Sequence, residues 1–224
     1  MTSTSRRNFL SIAAAGVIGL TLAACSRGGT ATGDGEALDE PIDGSRTLVA
    51  YFSQPLTDNP NGMNSDEENS TVVVDGKVLG NTQHVAQLIQ ARLGAEVFRI
   101  ETAEDLPLDY QTLEDQALRE QEDGVRPDLK AKIGDLGDYD TIFIGYPIYW
   151  YDLPMPLYSF LEQHDFAGKN IVLFSTHGGS QLSGTVERVT DVLPEATVST
   201  NAFTISRDDM DDAEPQVREW LDSL

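Results

Sequence analysis

Apolar residues recur along this chain in two rhythms, and the alternation between them predicts the fold. Thr47 to Ser53, Glu96 to Ile100, Thr141 to Ile144 and Ile171 to Phe174 are short runs rich in β-branched and aromatic residues. Three of them are almost continuously apolar, as strands buried on both faces are. Thr197 to Thr204 reads as a further strand. Between these runs the spacing changes to three and four residues. Val85, Leu88, Ile89 and Leu93 follow Gly80-Asn81-Thr82 and stop at Gly94. Leu157, Phe160 and Leu161 lie within a predicted helix from Pro154 to His164, and Ser183 to Leu193 forms the next. Val217, Trp220 and Leu221 share one face of a last helix from Ala213 to Leu224. Tyr110 to Asp123 reads as a polar, partly helical connection, and Pro127 to Ile133 as a short helix. Strands alternating with helices predict an α/β domain with a parallel sheet.

Three strand ends carry unusual loops. Gly80-Asn81-Thr82 opens a helix with a glycine and small hydroxyl and amide side chains. Free N–H groups and the positive end of the helix dipole suit a phosphate there, although Asn or Thr also serves as an ordinary cap. The strand at 141–144 runs into Gly145-Tyr146-Pro147-Ile148-Tyr149-Trp150-Tyr151, where polar turn residues would be usual. Exposed rings stack on a flat conjugated ligand, fold back on the core, or form a protein-docking patch. Trp150 has the largest face and Tyr151 borders the turn into Asp152, so these two rank ahead of Tyr149 as stacking rings. The strand at 171–174 feeds Ser175-Thr176-His177-Gly178-Gly179-Ser180, rich in glycine and hydroxyls.

YFS, GNTQHVAQLI, YDTIFIGYPIYW and IVLFSTHGGSQ, taken together, resemble the flavodoxin family over about residues 45 to 224. The resemblance implies a flavodoxin-like doubly wound parallel five-stranded sheet of order 2-1-3-4-5 with helices on both faces. It also implies non-covalent FMN. Ser53, Asn81 and Thr82 with the Gly80 backbone would hold the phosphate, and Pro147, Tyr149, Trp150 and Tyr151 would cover the ring. Ser175, Thr176, His177, Gly178 and Gly179 would line the ring's other side. The redox chemistry would be the cofactor's, with no catalytic acid or base. No G-x-G-x-x-G follows a strand, so electrons come from a redox partner or a small donor or acceptor, as in a carrier or an FMN-dependent quinone reductase. One departure stands out: 26 residues, 54–79, separate Ser53 from Gly80. Within them Asp75-Gly76 joins two β-prone runs, a hairpin signal. The insertion favours the other reading, a flavin-free lipoprotein using this fold as a binding module.

The N-terminus carries a separate signal. Arg6-Arg7 with Phe9-Leu10 precedes an apolar run from Ile12 to Ala24 too short for a membrane span, and Leu22-Ala23-Ala24 leads into Cys25. This resembles a bacterial lipoprotein signal of twin-arginine type, with residues 1–24 removed and Cys25 lipidated; the arginines also suit an ordinary basic leader. Residues 25–45 read as a flexible tether and 46–224 as the domain. The twin-arginine route carries folded proteins, so a flavin could be loaded before export to the outer face of the bacterial membrane.

Composition narrows the field. The formal net charge is −22, and without residues 1–24 the chain holds 13 basic against 37 acidic residues. That excludes nucleic acid as a partner and adhesion to anionic lipid beyond the acyl anchor. The single cysteine leaves no disulfide and no thiolate metal site. His84, His164 and His177 lie on separate elements without ligand spacing, and no metal is expected. Gly179-Ser180-Gln181-Leu182 lacks the second glycine of a hydrolase nucleophile elbow.

Overall fold

The structure, a computed structural model, describes residues 42–224. The arginine pair, Cys25 and most of the expected tether lie outside the described residues.

The strand β1 (Thr47–Phe52) leads through α1 (Ser65–Ser70) to a hairpin of β2 (Thr71–Val74) and β3 (Lys77–Gly80), which runs directly into α2 (Asn81–Leu93). Then come β4 (Glu96–Ile100), α3 (Tyr110–Glu122), β5 (Thr141–Pro147), α4 (Met155–Gln163), β6 (Asn170–His177) and α5 (Thr185–Val192). The chain closes with β7 (Thr197–Val198), β8 (Phe203–Ser206) and α6 (Ala213–Leu221). The main sheet has the order β4-β1-β5-β6, and β7 and β8 both pair with β6. Every pairing in it is parallel. This is the expected doubly wound 2-1-3-4-5 arrangement, its fifth position filled by two segments.

Alternation along β1 shows why the sheet has helices on both sides. Leu48, Ala50 and Phe52 enter a core with Ile142, Ile144, Leu157, Phe160 and Val189, beneath α4 and α5. Val49 and Tyr51 enter the opposite core with Val85, Ile89, Val217 and Trp220, beneath α2 and α6. All six residues of β1 are buried, so neither face can be polar. Gly94 ends α2 at φ +70°, a conformation that disfavours residues with a Cβ.

Two expected elements differ. Pro127 to Ile133 is extended, not helical. Ala103 N–H donates to Asp128 O and Lys130 N–H to Glu101 O, so this stretch lies antiparallel to residues 101–103. The Ile133 N–H is taken by His164 Nε2 at 3.1 Å. One helical turn cannot repay its nucleation cost against such partners. The last strand breaks at residues 199–202. There Ser199 Oγ accepts the Asn201 N–H, Ala202 N–H donates to Thr200 O, and Asn201 O receives Trp220 Nε1 of α6. A local serine turn replaces the ladder. Tyr146, counted with the aromatic loop on sequence, belongs to β5; it is fully buried, and its hydroxyl donates to Thr185 Oγ1 at 2.8 Å.

Gly145 pairs with Phe174 across β5 and β6, and the Phe174 ring lies over it where a Cβ would stand. Gly145→Ala is expected to destabilise the fold by about 2 kcal/mol or more through overpacking. A chemical-denaturation midpoint unchanged by the substitution would contradict that close approach.

Candidate functional site

β1, β5 and β6 end at one edge of the sheet, and their loops surround a cleft of about 620 Å³. The volume lies within the range of small-molecule sites.

One end is built on the start of α2. Asn64 caps α1 and Asp109 caps α3 through their side chains, whereas α2, like α4, α5 and α6, begins with no side-chain cap, the Gly80 N–H alone donating to Gln83 Oε1 at 3.3 Å. Its first-turn amides therefore remain for a ligand. An alanine Cβ at Gly80 would collide with the Ser53 hydroxyl, so glycine permits the close approach of the two segments. Gly80 thus supports this end without lining the cleft, while Ser53, Asn81 and Thr82 line it and are buried. Thr82 Oγ1 lies 2.8 Å from Thr176 Oγ1, which couples α2 to β6. Asn81 Nδ2 donates to Asn69 O at 2.9 Å, and that bond leaves its buried Oδ1 without a partner.

The insertion supplies a wall. Leu56 N–H donates to Ser70 Oγ at 3.0 Å, folding residues after Ser53 back onto α1. The Asp75-Gly76 turn has φ +50° and +74°, as a two-residue hairpin demands, and Thr71 pairs with Gly80. The excursion thereby returns the chain to Ser53, and Leu56, Asp66, Asn69 and Ser70 face the cleft.

The aromatic segment is itself a tight turn. Tyr149 and Asp152 exchange backbone hydrogen bonds of 3.0 and 2.9 Å, with Trp150 at φ +47° and Tyr151 at φ +62° between them. Asn-Gly is the pair that such a turn prefers; two bulky rings held there store about 1–3 kcal/mol each. The surroundings maintain it. Trp150 Nε1 donates to Glu114 O on α3 at 3.0 Å. Asp152 accepts from Leu153 N–H and the Tyr158 hydroxyl and pairs with Arg188 at 3.3 Å. Burial, the Asp152 charge and its hydrogen bond push the Tyr158 phenol up to about 12. Tyr149 turns inward, its ring edge-on to Phe52 at 6.1 Å, whereas Tyr151 is 69% exposed.

The third loop brings Thr176, His177, Gly178 and Gly179 to the cleft beside Pro147. Gly179 N–H donates to His177 Nδ1 at 2.8 Å, so Nδ1 is an acceptor and Nε2 carries the proton. Burial holds this imidazole below its ordinary value of 6.5. Ser175, expected in the site, is fully buried within the sheet, its Oγ 2.8 Å from Thr204 Oγ1. The strand pleat explains this: neighbours along β6 point to opposite faces.

Beyond the insertion, the wall residues that went unnoticed in the sequence include Tyr110 and Arg207. Tyr110 starts α3, and Arg207 follows β8 directly. Burial and the Glu114 carboxylate raise the Tyr110 phenol, and Arg207 opposes them. A cation immediately after a strand end in so acidic a chain was the signal available for Arg207.

A family model described as flavodoxin matches residues 71–224, well over half of the chain. A candidate flavoprotein of known structure from Bacteroides eggerthii is 27% identical, with a TM-score of 0.59 over 80% of this chain and 96% of its own. Another from Bacteroides uniformis is 26% identical, with a TM-score of 0.58 over 78% and 99%. A flavoprotein from Lactobacillus acidophilus, solved in complex with FMN, shares the fold at 20% identity, with a TM-score of 0.53 over 79% and 98%. No curated protein sequence matches significantly.

The strained turn yields a stability test. Tyr151→Gly relieves a left-handed bulky residue and is expected to stabilise the ligand-free protein by about 1 kcal/mol. Thermal melts of flavin-free protein measure this, and a lower melting temperature would show that contacts of the Tyr151 ring outweigh its backbone strain.

Proposed function

We propose that this chain, which belongs to the flavodoxin family, binds FMN non-covalently and transfers electrons at the outer face of a bacterial membrane. One observation carries the flavin reading. An uncapped helix N-terminus, a strained aromatic turn and a glycine loop meet in a single cleft of about 620 Å³. Each suits a different part of FMN. The unpartnered acceptor Oδ1 of Asn81, in the cleft wall, fits a ligand with a hydroxyl-bearing chain.

The chain's own groups have distinct tasks. The first-turn amides of α2 and the hydroxyls of Ser53 and Thr82 hold the phosphate, assisted by the helix dipole. Trp150 and Tyr151 offer ring faces, and the contacts of Trp150 Nε1 and Asp152 that hold their strained turn set those residues before the ligand arrives. The backbone of Gly178 and Gly179 and the Nε2–H of His177 offer donors to the heteroatoms of the ring. Bound FMN supplies the electron-transfer chemistry. The rim presents Tyr151 to solvent, which leaves a route for a redox partner or a small acceptor. The FMN complex of the Lactobacillus flavoprotein, on the same fold, supports this assignment.

The location rests on the sequence. Arg6-Arg7 and the run ending at Ala24-Cys25 support twin-arginine export and lipidation of Cys25, followed by a tether to the domain.

Protein produced without residues 1–24 is expected to purify yellow, with flavin absorbance bands, and to rebind FMN after stripping. Colourless protein that does not bind FMN would leave the flavin-free binding module. Trp150→Ala is expected to weaken FMN by about ten-fold or more, through lost stacking and apolar area. Unchanged affinity in Tyr149→Ala, Trp150→Ala and Tyr151→Ala alike would remove the turn from the flavin site.

Cys25→Ser is expected to shift the protein from the membrane fraction to the soluble one, because the anchor depends on acyl chains attached there. Retention of this variant in washed membranes would contradict lipidation.

A further inference from the structure

Arg207 is the one arginine or lysine that lines the cleft among the described residues. Ser206 pairs with His177, so Arg207 stands one residue beyond β8, beside the loop whose Thr176 holds Thr82 of α2, and residues 207–212 pack against α1, whose Asn69 O holds Asn81 at the phosphate end. Its guanidinium lies against Gly178, where an alanine Cβ would come within 3.0 Å of Cζ and 3.1 Å of Nη1. Its Nε is buried without a hydrogen-bond partner. The chain has 37 acidic residues, yet among the described residues no carboxylate oxygen lies within 4.0 Å of this guanidinium. A buried charged donor left without a partner is costly, and the guanidinium that carries it belongs to a residue lining the ligand site.

Charge balance identifies the ligand group. A phosphate monoester carries about −1.5 to −2 charges at neutral pH. The α2 dipole offers only about half a positive charge. Asp66 and Glu114 line the same cleft and repel an anion. A guanidinium restores the balance and donates charge-assisted hydrogen bonds to phosphate oxygens. Resting on the FMN reading above, we propose that Arg207 is a specificity-determining residue that binds the phosphate of FMN, so that the cleft selects the mononucleotide over riboflavin.

Titration of the full chain, stripped of flavin, with FMN and separately with riboflavin tests this. Wild type is expected to bind FMN more tightly than riboflavin. Arg207→Gln is expected to weaken FMN by about ten- to a hundred-fold, the worth of charged hydrogen bonds. Riboflavin affinity is expected to stay within about two-fold in the same variant. Arg207→Lys, which keeps the charge but not the fork, is expected to fall between wild type and Arg207→Gln for FMN alone. An equal loss for both flavins would place Arg207 at the ring or in loop support and overturn the proposal. Unchanged FMN affinity would overturn it as well. Wild-type protein that binds both flavins equally would overturn the phosphate contact while leaving flavin binding intact. Wild-type protein that binds neither would overturn both readings.

Discussion

The register of β1, β5 and β6 is the constraint on which the cleft depends. Tyr51 lies beside Gly145, and Gly145 beside Phe174, in three parallel strands buried on both faces. Parallel strands of similar length, held in step, must deliver their following loops to one edge. Ser53, Pro147 and Thr176 reach that edge because the strands cannot slip. A shift of one residue would exchange the core faces of every side chain in β1 and push Phe174 off the space left by Gly145. The loops are diverse in chemistry, but their convergence is a property of the sheet.

At that edge the molecule holds conformations that local preference disfavours. Two bulky aromatic residues occupy consecutive left-handed positions. They persist because Trp150 Nε1 is bonded to α3 and Asp152 is fixed by Tyr158 and Arg188. Strain of this kind survives only where the surroundings over-determine it, and it gathers at ligand sites. The start of α2, which no side chain caps, and the unpaired Arg207 side chain stand beside that turn in the cleft wall.

The long excursion after Ser53 shows how an insertion can leave a site intact. Among the described residues its hairpin pairs only with itself, and it brings Gly80 back beside Ser53, so the two segments meet almost as if the intervening residues were absent. Closing a longer loop costs little, since the entropic term grows only with the logarithm of length. The excursion adds a polar wall containing Asp66, in a chain already strongly acidic, which makes the one guanidinium lining the cleft more consequential for an anionic ligand.

Much of this was legible in the sequence, because hydrophobic periodicity is a local record of burial. Continuous apolar runs at 47–52 and 141–144 announced strands covered on both faces, and i, i+3, i+4 spacing announced α2, α4 and α6. Asp75-Gly76 and Gly94 announced turns through backbone preferences that depend on one or two residues alone. Other features had no local record. Pro127 to Ile133 became extended because residues 101–103 and His164 took its amides. Ser175 turned to Thr204, away from the cleft, because the pleat at the end of β6 decides which side a residue faces. Trp150 and Tyr151 could be named as aromatic, but their left-handed backbone was imposed by α3 and Asp152. Arg207 entered the cleft wall only when β8 docked on β6, 30 residues from His177 in sequence but beside its loop in space. Periodicity determined which faces are buried; the assembled sheet alone decided which side chains meet, since those contacts join segments that no sequence window contains.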